Sequence, residues 1–216
     1  MMLRTVIAFV FLVSGCAASA AVCKNQVAAK APLDPAGLVV LHVASCPVDE
    51  GSFDVALEVR TGSKVTQRER TTAEGLAYGL SIDQSVDIDG DGTRDVGVAN
   101  GAGRAGDGMN YWLVKRNPVY LVRIGEAPRL SLSSDGKRIL YALVPGSGEV
   151  QATRVEYQLV AGQLRRVRSL QFVPIDDVRT EIRELLHVDG ASGKEQSGRL
   201  ATSEEAQRCM DGGPCP

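Results

Sequence analysis

Short apolar segments alternate with turn residues along nearly the whole chain, at intervals of roughly ten residues. Between positions 53 and 59, apolar and polar residues alternate with the period of a half-buried strand. Positions 38–44 form a continuous apolar run, which is typical of a buried strand. Further strands are predicted at 76–82, 86–88, 95–99, 111–115, 119–124, 138–144, 151–160 and 163–172. The pattern therefore predicts an all-β fold built as an antiparallel meander.

Two segments near the C-terminus have less regular patterns. Positions 177–188 fit both an amphipathic helix and an alternating strand, and the glycine-containing turn that follows favours the strand. Positions 203–206 are predicted to form a short helix before a tail bounded by cysteines.

The segment 87–95 reads Asp-Ile-Asp-Gly-Asp-Gly-Thr-Arg-Asp and places carboxylates at alternate positions around two glycines. Calcium takes oxygen ligands at about 2.3–2.6 Å, and glycines allow the backbone to curl around the ion. An EF-hand would need a glutamate at the last loop position, but Val98 stands there and the flanks are β-like. The sequence predicts a short calcium loop between strands; the alternative is an acidic turn without metal. The predicted ligands are Asp87, Asp89, Asp91, Thr93 and Asp95.

The N-terminus has the pattern of an export signal over residues 1–20. Arg4 precedes an apolar run at 6–13, which is too short for a membrane span of about twenty residues. Positions 13–16 resemble a bacterial lipobox, in which Cys16 is lipidated, whereas Ala18-Ser19-Ala20 is an ordinary cleavage site. Resemblance to lipoprotein sorting signals implies that Ala17 directs the protein to the outer membrane. We therefore expect a periplasmic, outer-membrane-anchored lipoprotein, with a soluble periplasmic or secreted form as the alternative.

Four cysteines remain beyond the predicted signal, and an oxidising compartment would pair them. Three connectivities are possible, and the sequence-local one joins Cys23 to Cys46 and Cys209 to Cys215. Each bridge would tether one terminus of a single β-rich domain over 21–216.

Composition and motifs argue against an enzyme and against nucleic acid. The net charge is −2, which gives no basic field for a polyanion. The two histidines lie in no zinc-protease motif, and the chain has neither a serine-hydrolase elbow nor a phosphate loop. We predict no catalytic residues, and contact with a membrane only through the lipid anchor.

Several segments together resemble one family: 87–95, 101–103, 108–113, 130–133 and 157–164, in that order. The chain is similar over 86–172 to small exported bacterial proteins with one FG-GAP-like calcium turn. These are related to periplasmic immunity lipoproteins that inhibit lysozyme-like effectors of a type IV secretion system. The resemblance implies a propeller-like or incomplete propeller fold, bound Ca²⁺, and a lysozyme-like peptidoglycan hydrolase as the partner.

A muramidase cleft is built around two carboxyl groups and a sugar groove, so an inhibitor should offer cations and aromatic rings. The candidates are Arg104, Tyr111, Trp112, Arg165 and Arg166. The alternatives are that the two aromatic residues are core and that the basic cluster 165–168 is the solvated face of a strand. Arg154 and Arg179 are expected at the surface.

The leading hypothesis is a calcium-binding envelope protein that inhibits such a hydrolase. The alternatives are a structural or adhesive envelope module without inhibitory activity, and a hydrolase with an unrecognised site.

Overall fold

The computed structural model describes residues 26–75, 79–101, 108–187 and 194–216, without the side chains of 194–197. Three antiparallel sheets fill this part of the chain, and in each of them neighbours in sequence are neighbours in the sheet. The first sheet contains β1 (Val27–Pro32), β2 (Val39–Asp49), β3 (Ser52–Thr61) and β4 (Lys64–Glu74). The second contains β5 (Ile82–Asp83), β6 (Val96–Ala99), β7 (Gly108–Lys115) and β8 (Tyr120–Pro128).

The third sheet contains β9 (Ser131–Leu132), β10 (Leu140–Pro145), β11 (Ala152–Val160), β12 (Gln163–Pro174), β13 (Arg179–Leu186) and β14 (Lys194–Thr202). Helix α1 (Ser203–Met210) follows it directly. The all-β, antiparallel prediction is confirmed. None of the three sheets closes on itself, and the propeller-like arrangement stays a prediction.

The second sheet lies between the other two, because β7 is buried on both faces. Tyr111 and Leu113 pack in a cluster with residues of the third sheet such as Val155. Trp112, on the opposite face, packs in a cluster with residues of the first sheet such as Leu57. Successive side chains of a strand point to opposite faces, so an uninterrupted apolar strand suits this central position.

A third cluster lies on the other face of the third sheet, where α1 packs through Ala206, Cys209 and Met210. The helix begins with a capping box in which the hydroxyl of Thr202 accepts a hydrogen bond from the Glu205 amide and the Glu205 carboxylate accepts one in return. The short helix predicted at 203–206 is confirmed and continues to Met210.

Several strand predictions need correction. The segment 86–88 is not a strand. Val86 and Ile88 are buried, and they hold the start of the segment 87–95, hereafter the acidic loop, against the core. Of the strand predicted at 76–82, positions 79–81 are not a strand and only Ile82 belongs to one, β5, while 76–78 lie outside the described residues. The ambiguous segment 177–188 contains strand β13, as the turn after it indicated.

Strands β1, β4, β9 and β14 were not predicted. In β4, alternate positions are half-buried, but Gln67 and Glu69 occupy them where apolar residues would be expected. The Gln67 side-chain amide donates to the Leu121 carbonyl (2.9 Å) and its oxygen accepts from the Leu121 amide (2.7 Å). The indole of Trp112 donates to the Glu69 carboxylate (3.3 Å). These polar bonds join the first sheet to the second, and hydrophobic periodicity does not reveal them.

The predicted disulfide between Cys209 and Cys215 is confirmed. Cys46 is also disulfide-bonded, and Cys23 lies outside the described residues. The predicted signal over 1–20, with Cys16, lies outside them as well. Within the described ranges, no helix has the length and apolarity that a membrane span requires.

Arg154 contradicts the expectation of a surface position, because only 1% of it is exposed. Its guanidinium donates to the carbonyls of Cys209 (2.6 Å) and Gly213 (3.2 Å) and lies 4.5 Å from the centre of the Tyr141 ring. Its Nε atom is 3.2 Å from a Glu156 carboxylate oxygen. Arg154 therefore fastens the disulfide-closed tail to the third sheet. Burial lowers its pKa.

Candidate calcium loop and arginine-lined pocket

The acidic loop lies between β5 and β6, as the sequence predicted. It closes at its base, where the Asp95 amide donates to the Val86 carbonyl (2.8 Å). Gly90 and Gly92 have φ values of 78° and 84°, a left-handed conformation that glycine adopts without steric cost. The two carboxylate oxygens of Asp87 accept hydrogen bonds from the amides of Gly90 (2.8 Å) and Gly92 (3.1 Å). The loop is thus curled around the first aspartate.

Asp95 is the buried anchor of the loop, with 3% of its surface exposed. One carboxylate oxygen accepts from the Val114 amide (2.9 Å) and the other from the Ile88 amide (2.7 Å). The bond from Val114 connects the loop to β7, and the bond from Ile88 closes the loop on itself. Burial raises the pKa of Asp95 to about 6. The two backbone hydrogen bonds lower this pKa, and the nearby carboxylates of Asp89 and Asp87 raise it further.

Oxygens of Asp87, Asp89 and Asp95 lie within 4.8 Å of one another. Two ligands on opposite sides of an ion at about 2.4 Å would be separated by a similar distance, so these donors fit a hard cation. Asp91 is not part of this group, and its carboxylate accepts from the Thr93 amide (2.8 Å). The structure therefore brings together three of the five predicted ligands.

Two cations flank the loop. The Lys115 ammonium pairs with Asp89 and lies 3.5 Å from Asp91, and the hydrogen bond to Asp89 raises the pKa of Lys115. Arg138 lies 3.4 Å from the Asp87 carboxylate and donates to the Asp87 carbonyl (3.0 Å). Neither cation was predicted, because Lys115 ends β7 and Arg138 precedes β10, both distant in sequence from the loop.

The two aromatic candidates for partner contact are buried. The Tyr111 hydroxyl accepts a hydrogen bond from the Leu130 amide (2.7 Å), and burial raises the pKa of Tyr111. Trp112 is fully buried against the first sheet. Neither side chain is available to a partner in this conformation.

Arg165 and Arg166 are exposed near the turn between β11 and β12 and line a surface pocket of about 350 Å³. Asn100 and Gly108 line the same pocket. The Asn100 amide donates to the Gly108 carbonyl (2.9 Å), so the two ends of the chain segment 101–107 are held together. Arg104 belongs to this segment and lies outside the described residues. Arg168, the last arginine of the predicted basic cluster, instead donates to the Glu156 carboxylate (2.9 Å).

No protein-family profile matches this chain, and no curated protein matches it. One solved structure to which the chain is similar is described as "Structure of a Xanthomonas Type IV Secretion System related protein". The two sequences are 16% identical and the TM-score is 0.45. The similarity covers 81% of this chain and 100% of the other.

Proposed function

We propose that this chain is a non-catalytic, calcium-binding protein of the cell envelope that binds and inhibits a lysozyme-like peptidoglycan hydrolase. The observation that carries the proposal is the position of Arg165 and Arg166 beside the closed base of segment 101–107. Arg165 and Arg166, two of the partner contacts predicted from the sequence, thus lie beside the two residues that flank the segment containing Arg104. The contact is proposed for Arg104, Arg165 and Arg166, without Tyr111 and Trp112.

The electrostatics of such a contact suit the proposed target. A muramidase cleft contains two catalytic carboxyl groups. Guanidinium groups form short, two-pronged hydrogen bonds with carboxylates, and opposite charges accelerate association. A segment whose two ends are held together by a hydrogen bond loses less conformational entropy on entering a groove than an open loop loses. Inhibition would follow from blocking the cleft, without turnover of substrate.

Calcium would have a structural role in this proposal. Asp87, Asp89 and Asp95 would hold the ion, with Asp91 and the Thr93 carbonyl as the further predicted ligands. A divalent cation would offset the mutual repulsion of these carboxylates. Because Asp95 also binds the amides of Ile88 and Val114, the ion would fix the loop against β7.

The proposed location is the periplasm, with Cys16 as the lipid attachment that anchors the protein to the outer membrane. Mass spectrometry of the mature N-terminus separates lipidation at Cys16 from cleavage after Ala20. A diacylglycerol-bearing cysteine at the first position is the expected result, and an unmodified Ala21 would contradict the anchor.

The inhibitory function is tested by the rate at which a purified lysozyme clears a suspension of cell walls. We expect the protein to stop lysis near a one-to-one ratio. Replacing Arg165 and Arg166 by Glu should weaken inhibition by at least about tenfold, since each lost charge-assisted hydrogen bond is worth about 1.5–3 kcal/mol. Arg199→Glu, also an exposed arginine of the third sheet, is the matched control.

Unchanged lysis at any ratio would contradict the proposal. Binding to the cell walls without an effect on lysis would favour the structural or adhesive module instead. Release of sugar or peptide fragments by the protein alone would favour a hydrolase.

A further inference from the structure

The outer face of the first sheet carries two contrasting rows of side chains. Strand register places Lys30, His42, Glu58 and Arg68 side by side across the four strands. The next row consists of Ala28, Ala44, Ala56 and Arg70. Directly opposed residues point to the same face of a sheet, so a row of polar and charged groups borders a row in which three of the four side chains are methyl groups.

A cavity of about 550 Å³ opens over these rows. Its walls include Lys30, His42, Arg60 and Arg70, and alanines of the second row form its floor. This volume is within the range of small-molecule sites, roughly 300–1,000 Å³. The short alanine side chains leave this space open, and any larger side chain there would reduce it. The cavity is separate from the acidic loop and from the pocket lined by Arg165.

Cations outnumber acids around this cavity. The Glu58 carboxylate accepts hydrogen bonds from Arg60 (2.9 Å) and Arg68 (3.0 Å), and Asp54 lies 3.7 Å from Arg70. Among the described residues, no ion pair or hydrogen bond engages the Lys30 ammonium. Burial is the main cause that lowers the pKa of His42, and the nearby cations Lys30 and Arg60 lower it further. A neutral imidazole still offers one N–H donor.

We propose that this cavity is a binding site for the phosphate or carboxylate group of a small ligand, held by Lys30, His42 and Arg60. The body of the ligand lies over Ala28, Ala44 and Ala56. Lys30 supplies the charge that the surrounding acids do not neutralise, and the Arg60 and His42 donors give direction to the contact. The site depends neither on calcium nor on the proposed inhibition.

The chain has only two histidines, which makes the test simple to read. Inorganic phosphate and, separately, acetate are added at constant ionic strength while NMR follows the imidazole signals. We expect the His42 signal to shift until it saturates. We also expect its pKa to rise, because a bound anion offsets the two cations. His187 bonds Ser169 (2.8 Å) in the third sheet and is the internal reference.

Three variants give the test its controls. Lys30→Gln should weaken binding by about tenfold or more, as expected for the loss of one charged hydrogen-bond donor. Lys64→Gln, an exposed lysine of the same sheet, should leave it unchanged. Ala44→Leu should block the site while every charge stays in place, with the circular dichroism spectrum as the check of folding.

Saturation by phosphate alone would assign the site to phosphate groups, and saturation by acetate to carboxylates; either result supports the proposal. Equal, unsaturated shifts of both histidines would overturn it. So would phosphate and acetate binding that Lys30→Gln and Ala44→Leu leave unchanged.

Discussion

The third sheet and the acidic loop both contain buried charged side chains, but the two regions differ in which groups neutralise these charges. In the third sheet, Arg154 and Arg168 surround Glu156, and Arg168 also reaches Glu184 (3.4 Å). This arginine cluster, defined by those four residues, is charge-balanced by its own members. The acidic loop has four aspartates, whereas only Lys115 and Arg138 pair with it among the described residues.

The difference separates two uses of buried charge. A balanced, hydrogen-bonded cluster is stable without help from solution, and removing one member leaves the others unsatisfied. An unbalanced cluster depends on what the solution supplies, which is protons or metal ions. We therefore expect the arginine cluster to respond mainly to mutation and the acidic loop mainly to pH and calcium.

The largest effect should come from Arg154→Met. It removes both hydrogen bonds to the tail carbonyls and the charge beside Glu156. Loss of one partner of a buried ionic group costs about 3–5 kcal/mol, so the free energy of unfolding in urea should fall by this amount. Arg165→Met, at an exposed position, should change it by less than about 0.5 kcal/mol. Equal, small effects at both positions would show that the cluster is not a structural centre.

The two regions also differ in what the sequence could predict. The acidic loop is contiguous, and the spacing of its aspartates and glycines alone indicates calcium chemistry. The arginine cluster is assembled by strand register, which places Glu156 opposite Arg168 and Arg154 opposite Leu170. No local sequence pattern indicates that Arg154 is buried, because the carbonyls that accept its hydrogen bonds lie in the tail near Cys209, far away in the sequence. Sequence patterns therefore predicted the all-β class and the acidic character of the loop, and could not predict contacts between distant segments.

The second effect concerns pH and Asp95. Its pKa is raised from 3.8 to about 6 in the folded protein, so the folded state holds a proton that the unfolded state releases between these values. In chelator, this group's contribution to stability is therefore present at low pH and is lost as pH rises through about 6. The shift corresponds to about 3 kcal/mol at most.

The measurement compares the unfolding free energies of the native protein and Asp95→Asn from pH 4 to pH 7. Carboxylates far from the loop contribute equally to both proteins, so the difference reports Asp95 together with its coupling to Asp87 and Asp89. The stability of the native protein relative to the variant should decline across this range. A constant difference would contradict the raised pKa of Asp95.

The third effect is the response to calcium. An ion bound only by the folded state stabilises by about 2.7 kcal/mol at a hundredfold excess over its Kd, so the melting temperature should rise with added calcium. Asp89→Ala should remove the rise, and Asp177→Ala, at an exposed position outside the loop, should preserve it. Sodium chloride of equal ionic strength controls for screening. An equal rise in the Asp89→Ala variant would place the ion elsewhere.

The smallest effect is expected from Lys115→Gln, and it tests the comparison most directly. The Lys115 side chain is 30% exposed, and partly exposed ion pairs of this kind contribute about 0.2–1 kcal/mol. In chelator, the variant should be less stable by this amount, because Asp89 and Asp91 lose their cation. With calcium the loss should shrink, since the ion supplies the missing positive charge, and the calcium-induced rise in melting temperature should exceed that of the native protein. A smaller rise would mean that Lys115 supports the ion site rather than substituting for its charge.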